Sequence, residues 1–303
     1  SVLLEPGKDP ITLQGLPITR HYGNILDPQA LVQAFKNKDI VFHCAASTSV
    51  WPARSEIVNR VNIEGTQNVI DAVLKNKIQR MIYVGTANSF SYTSDKENPG
   101  TEGTPYASWH YGLDYMDSKY KAQELILQNV KENGLPALVV NPTFMIGPYD
   151  SRPSSGALIL ALYKGKVPGY TNGGKNYVAV KDVAFAMANA IDRGRIGECY
   201  IVGNVNLSFK EAFDLIATTI GAKPPKLKLP NPIVKLYGSF TSTTAKLFGF
   251  NPSVTRELAT ISCDRHYYSV EKARKELELP QTPIETAVKE CFEWFKENGY
   301  LKN

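Results

Sequence analysis

A chain of 303 residues, 43% hydrophobic and 21% charged, has ample material for a packed core and excludes the disordered and low-complexity classes. The net charge of +5 is spread along it. Lysine-rich spots such as Lys36-Asn-Lys38 and 223–228 carry no interleaved aromatics, which reads as solvated surface and excludes a nucleic-acid interface.

In chain order, Val2-Leu-Leu4 reads as a strand ending in the turn Glu5-Pro-Gly7, and 18–22 as a second strand. Asp27-Pro28 starts a helix to about residue 36, with Asp as N-cap and Pro at the first helical position. Residues 39–46 predict a buried strand running into Ala45-Ala46, 56–75 a long helix, and 81–84 a strand before Gly85-Thr86. A helix over 115–133, a strand over 137–141, the strand-like Tyr177-Val-Ala-Val180, a helix over 181–192 and a strand over 198–202 follow. Strand and helix in alternation predict an α/β fold, a doubly wound parallel sheet with helices on both faces. Ligands of such sheets bind at the strand carboxyl ends, where Ala45, Ala46, Thr86, Pro142 and Thr143 fall. After 204 the pattern turns to helices over 208–220, 231–248, 269–278 and 282–298, joined by a proline- and lysine-rich connector. The expected division is a dinucleotide-binding domain over 1–147, with 177–204 returning to it, and a smaller, mostly helical substrate cap over 148–303.

Cys44, Cys199, Cys263 and Cys291 lack metal-ligand spacing, and His21, His43, His110 and His266 form no ligand cluster, so no metal is expected. Cys44 and Cys199 lie in apolar strand-like runs and read as reduced core residues of a cytoplasmic protein. No apolar run approaches the roughly 20 residues of a membrane span, so no membrane partner is expected.

The sequence Tyr115-Met-Asp-Ser-Lys119 carries the chemistry. A phenol and an ammonium four apart share a helix face. A nearby cation favours the phenolate, which suits the phenol to proton transfer near neutral pH. The same spacing occurs at Tyr92/Lys96, Tyr177/Lys181 and Tyr268/Lys272. Only Tyr115 opens a sustained helix after a strand that ends in a hydroxyl, Thr86. His110, shortly before Tyr115, is a candidate substrate contact beside Thr86 and Tyr115, with a plain loop role as its competitor.

Together these residues resemble the extended branch of the short-chain dehydrogenase/reductase family, the NAD-dependent epimerase/dehydratase group, nearly end to end. Val41-Phe-His-Cys-Ala-Ala46 resembles the family's strand and small-residue turn beside the adenosine. Val61-Asn-Ile-Glu-Gly-Thr-Gln-Asn68 resembles its Asn-Val-x-Gly-Thr helix, which places Asn62 on the structural and proton-relay asparagine. Thr86, Tyr115 and Lys119 fall on its catalytic positions, Asn141-Pro-Thr-Phe-Met-Ile-Gly-Pro148 on the segment along the nicotinamide, and Tyr177-Val-Ala-Val-Lys-Asp-Val183 on its later Val-x-Asp-Val element. The context of Asp114-Tyr115 is most similar to dihydroflavonol-reductase-like and 3β-hydroxysteroid-dehydrogenase-like members. The arginine that sugar-nucleotide epimerases carry before the Val-x-Asp-Val element is absent from Gly173-Gly-Lys-Asn176.

The resemblance implies NAD or NADP bound by Glu5, Asn24, Ile25, Ala45, Ala46, Lys119, Pro142 and Thr143. Glu5 ends a strand where a carboxylate accepts from the ribose hydroxyls and repels a 2′-phosphate, which leans the choice to NAD, with Lys8 and Arg20 as competing phosphate partners. It also implies hydride transfer between a secondary alcohol and a ketone or aldehyde. Tyr115 is the acid, Thr86 holds the oxygen, Lys119 lowers the tyrosine pKa, and Asn62 positions a water. A small-molecule partner is expected and a homodimer is left open. A nucleotide-sugar epimerase or dehydratase with bound NAD, and an idle dinucleotide-binding scaffold, are the alternatives. The family's opening strand and glycine-rich turn are not found, so the natural chain is expected to carry them before Ser1.

Overall fold

The computed structural model describes residues 1–301. The elements that place the site are β1 (Val2–Leu4), β2 (Arg20–Tyr22), α1 (Pro28–Phe35), β3 (Ile40–His43), α2 (Glu56–Asn59), α3 (Gly65–Lys75), β4 (Arg80–Val84), α4 (Asp114–Asn133), β5 (Ala137–Pro142) and β6 (Phe144–Ile146). They are followed by α5 (Ala157–Tyr163), β7 (Gly174–Ala179), α6 (Val180–Asn189), β8 (Cys199–Val202), β9 (Val205–Ser208), α7 (Phe209–Thr219), α8 (Asn231–Phe248), α9 (Arg256–Ile261), β10 (Arg265–His266), α10 (Glu271–Leu277) and α11 (Ile284–Glu297).

The central sheet is parallel, in the order β3-β4-β5-β8. Every residue of β5 and β8 is buried, because helices cover both faces of a sheet joined by right-handed crossovers. β1 and β2 form a separate parallel pair, with Leu3 packed against the same core. The α1 start follows its sequence signal: the Asp27 carboxylate accepts from Gln29 and Ala30 backbone N–H groups, with Pro28 at the first turn.

The predicted helix over 56–75 is continuous but not uniform. Residues Arg60–Glu64 form a π-helical turn between α2 and α3. Hydrophobic periodicity cannot register such a turn, since one extra residue per turn leaves the buried stripe nearly in place.

The portion beyond 148 is mostly helical, and it also contributes strands that the sequence pattern did not show. β6, β7, β9 and β10 build a second sheet in which β7 pairs with β6 and β10 in parallel and with β9 antiparallel. These strands are short, two to six residues, so they leave little alternation to read. Of the three apolar clusters among the described residues, the smallest gathers Tyr111, Leu113, Met116 and Ile261 beside Tyr115, and the other two are larger cores. One lies under the central sheet and takes in Ala273, Leu277 and Leu279 from the α10 region. The other joins α5, α7 and α11 around Tyr177, Phe213 and Phe295.

Gly173 sits at the seam between β7 and β10, where an added Cβ would lie 2.3 Å from the Ser262 carbonyl and 2.7 Å from that of Asp264. Both are backbone atoms, so relief requires the strands to part. Gly173→Ala is expected to destabilise by about 2 kcal/mol, read as a lower denaturant midpoint at unchanged slope.

Candidate active site

The carboxyl ends of β3, β4 and β5 and the first turns of α4 converge at one edge of the central sheet. Tyr115 and Lys119 stand on one face of α4. Lys119 is 4% exposed. Its ammonium donates to the Val84 carbonyl at 2.6 Å and lies 4.2 Å from the centre of the Tyr83 ring. Burial pushes its pKa down to about 7. One of three hydrogens is thus spent on the sheet and two remain.

Tyr115 is half-buried. Burial raises its phenol above the ordinary range, and the Thr86 hydroxyl beside it pulls the other way. The expectation that Lys119 lowers this pKa is corrected: the ammonium turns to the Val84 carbonyl and its own charge is weakened by burial. The phenol is held protonated, which makes it a proton donor at neutral pH.

Thr86 is buried and extended at the end of β4. Its hydroxyl oxygen accepts from the Asn88 backbone N–H at 3.3 Å, which leaves its hydrogen free to donate. Its carbonyl accepts from Asn141 Nδ2 at 3.1 Å, and the same amide donates to Gln123 Oε1 at 2.7 Å. A Cβ at Gly85 would lie 2.4 Å from Asn141 Nδ2. The glycine before Thr86 and the asparagine at the end of β5 occupy one space between them.

Asn62, 1% exposed, sits in the π-helical turn. Its Nδ2 donates to the Ser47 carbonyl at 3.0 Å and to Ser118 Oγ at 2.8 Å, and its Oδ1 accepts from Ser47 N at 2.7 Å. Ser118 in turn donates to the Tyr115 carbonyl at 3.1 Å. Both amide hydrogens are thus committed, and Oδ1 keeps one lone pair for a further donor.

The remaining expected residues lie around this edge with unequal freedom. Ala45 is exposed and Ala46 half-buried on the turn after β3. Asn24 is exposed and its Oδ1 already accepts from Leu26 N at 2.8 Å. Ile25 packs against the Gly65 backbone, and its carbonyl accepts from Asn68. Pro142 is buried at the end of β5. Thr143 directs its hydroxyl inward to Asn176 Oδ1 at 2.9 Å, so only its backbone faces the edge. Glu5 and Lys8 form an exposed ion pair at the mouth of a cavity of about 510 Å³, which Leu4, Ser151, Arg152 and Tyr300 also line. Arg20 is held by the Leu13 carbonyl at 2.6 Å and by Asp9, and so is withdrawn from any phosphate. His110 is exposed, with Nδ1 on the Ala107 carbonyl. A second cavity of about 280 Å³, lined by Glu102, Gln123, Glu198 and Lys272, holds none of the expected site residues.

Several residues that shape the site escaped the sequence reading. Arg54 bridges Asp114 and Asp117 at 2.8 and 2.9 Å, and the Asp114 carboxylate accepts from Ser55 N and Asn59 Nδ2, which ties the 52–55 loop to the first turn of α4. Two acids in the first turn of a helix were the available signal. Tyr111, beside His110, is the buried member of that pair. Its hydroxyl donates to Asp264 at 2.6 Å and contacts Tyr92 and His266. No spacing in the sequence connects these four residues. Cys44 is exposed, contrary to the expected core position, because β3 ends at His43; Cys199 is buried, and all four cysteines are free.

The comparisons with known proteins agree with this geometry. Residues 5–203 match the NAD dependent epimerase/dehydratase family. A protein of Synechocystis named "Putative dihydroflavonol 4-reductase" is 30% identical over 99% of this chain and 88% of its own length. The crystal structure of gox2253 is 34% identical, with a TM-score of 0.85 over 99% of this chain and 91% of that one. The structure of PA4631, titled a nucleoside-diphosphate-sugar epimerase from Pseudomonas aeruginosa, is 24% identical with a TM-score of 0.80 over 99% of this chain and 90% of that one, a likeness of fold. The chain belongs to the NAD dependent epimerase/dehydratase family and is an NAD-dependent enzyme of the extended short-chain dehydrogenase/reductase type. Among the described residues no helix is long and apolar enough to cross a membrane.

His43 supplies a pH test of the buried network. The Thr66 hydroxyl donates to the Asn62 carbonyl at 2.7 Å, so His43 Nε2, 3.0 Å from it, carries the hydrogen between them. Burial first, and the Lys119 charge second, push the His43 pKa down to about 3. The folded pKa lies below the unfolded value, so its contribution is complete above about 6.5 and is lost as pH falls toward 3. Stability is expected to drop by roughly 2 kcal/mol between pH 6.5 and 5. His43→Gln should flatten that slope in denaturant titrations across this window.

Proposed function

We propose that this enzyme interconverts a secondary alcohol and the matching ketone or aldehyde, with Thr86, Tyr115 and Lys119 as its working set. The observation that carries this reading is the meeting of the Thr86 hydroxyl with a half-buried, protonated Tyr115 phenol, backed by a nearly buried lysine. Exposed small residues at Ala45, the free hydrogens of Lys119 and the cavity beside Glu5 suit a dinucleotide along the sheet edge. When bound, the nicotinamide supplies or accepts the hydride.

In the reduction direction Thr86 donates a hydrogen bond to the substrate carbonyl oxygen and polarises it. Tyr115 then delivers its proton to that oxygen as negative charge develops there. Lys119 holds a ribose hydroxyl with the hydrogens the Val84 carbonyl leaves free. Asn62 keeps the turn after β3 and the start of α4 in register, which fixes the approach of Tyr115.

The nucleotide-sugar reading has less support. The stretch before the Val-x-Asp-Val element offers Lys175 and no arginine, and Lys175 lies against the Phe144 ring at 5.2 Å. A non-catalytic binder would have no use for a protonated phenol beside a free hydroxyl donor. Tyr115→Phe is expected to reduce turnover by roughly 10²-fold or more, on the order of the contribution of general acid catalysis, with NAD affinity nearly unchanged. Steady-state kinetics on a panel of ketones and aldehydes with NADH, together with NADH titration by fluorescence, is the measurement. Full turnover by the phenylalanine variant would refute the mechanism.

NAD over NADP follows from the end of β1. Glu5 places a carboxylate there, and Arg20 is already engaged with Asp9 and Leu13. Glu5→Arg should shift the ratio of NADP to NAD affinity by about tenfold or more. Equal affinity of the unchanged protein for the two dinucleotides would sink this assignment.

A further inference from the structure

We propose that α8 docks the enzyme onto an anionic lipid surface, lying in the plane of the interface without crossing it. α8 is 18 residues long, and its inner stripe of Gly238, Ser242 and Ala245 is buried. Gly238 lets α9 approach so closely that a Cβ there would lie 2.4 Å from Ala259 Cβ. Roughly half a turn round the helix from that stripe stand Ile233, Leu236, Phe240 and Leu247. They are 60%, 71%, 65% and 74% exposed. Scattered apolar residues on a surface need no explanation, but a contiguous stripe along a whole helix does.

The polar residues of this helix reinforce the stripe. Ser239, Thr241, Thr243 and Thr244 each donate their hydroxyl to the backbone carbonyl four residues earlier, at 2.9 to 3.0 Å. The exposed Thr243 and half-buried Thr244 therefore add methyl groups to the face without an unspent donor.

Charge selects the occupant. Residues 221–250 contain Lys223, Lys226, Lys228, Lys235 and Lys246 and no aspartate or glutamate. All five lysines are exposed, and none takes part in an ion pair among the described residues. An apolar stripe with Lys235 and Lys246 along one side of its helix, and Lys223, Lys226 and Lys228 in the segment leading into it, matches a bilayer with anionic headgroups, whose acyl boundary receives the apolar side chains while the lysines meet phosphate. A second copy fits poorly, since a two-fold interface on this face would bring the same lysines of both copies together.

The test uses the full chain in sedimentation with vesicles of phosphatidylcholine mixed with phosphatidylglycerol, and of phosphatidylcholine alone. Pelleting is expected with the anionic vesicles, much less with the neutral ones, and less again in roughly 0.5 M salt. The exposed double substitution Phe240→Asp with Leu247→Asp should weaken binding by about tenfold or more while NADH binding persists. A triple Lys223→Glu, Lys226→Glu, Lys228→Glu chain should lose the preference for anionic vesicles, and tests the charge independently of the apolar face. Absence of pelleting with either vesicle would overturn the proposal. So would a dimer in light scattering that Phe240→Asp with Leu247→Asp dissociates, or capture of an acidic protein by a chain that ignores vesicles.

Discussion

The geometry of this site depends on one buried amide. Asn62 makes three hydrogen bonds with its side chain, two to the backbone of Ser47 and one to Ser118 on α4. Three chain segments distant in sequence are thereby held together in the interior, where a polar group left unpaired is costly. The π-helical turn makes this possible, since the widened turn holds the asparagine within reach of both partners. From Ser118 the constraint passes to the Tyr115 carbonyl, and through the Asn62 carbonyl to Thr66 and His43. Tyr115, Lys119 and the sheet edge are consequently one body.

The fold was legible wherever periodicity and punctuation agree. β4 and β5 announce themselves by apolar runs and α4 by a sustained helical segment over 115–133. The same signals placed Thr86, Tyr115 and Lys119 around one strand edge. What stayed hidden is instructive. β6, β9 and β10 are too short to alternate visibly, and they form only because β7 offers them both of its edges. The π turn leaves the burial pattern of its helix almost unchanged. In the cluster of Tyr92, Tyr111, Asp264 and His266, Tyr111 meets partners 153 and 155 positions away, and only the completed fold brings them together.

The electrostatics of the site also departed from the sequence reading for a reason visible in the burial. Spacing on a helix determines that a phenol and an ammonium share a face; it does not determine where the longer side chain ends. Lys119 finds a carbonyl and an aromatic ring at the end of β4, and desolvation then weakens its charge. Burial therefore comes first for both groups, followed by the Thr86 hydroxyl for Tyr115 and by Cys44 for Lys119. Asn62 makes a related point, because a motif specifies an amide without specifying that one hydrogen goes to the Ser47 carbonyl and the other to Ser118 Oγ.

Gly85 and Asn141 carry an evolutionary consequence. The amide nitrogen of the asparagine stands where a side chain at 85 would begin, and it is held there by the Thr86 carbonyl and by Gln123. The two positions are therefore not free to drift separately. A larger residue at 85 meets an occupied space, and a smaller one at 141 empties that space and abandons the Thr86 carbonyl. A hydroxyl residue introduced at 85 becomes tolerable only after 141 has changed, so the order of substitution matters as much as their identity. The glycine and the asparagine together thus fix one arrangement of the strand end that presents Thr86.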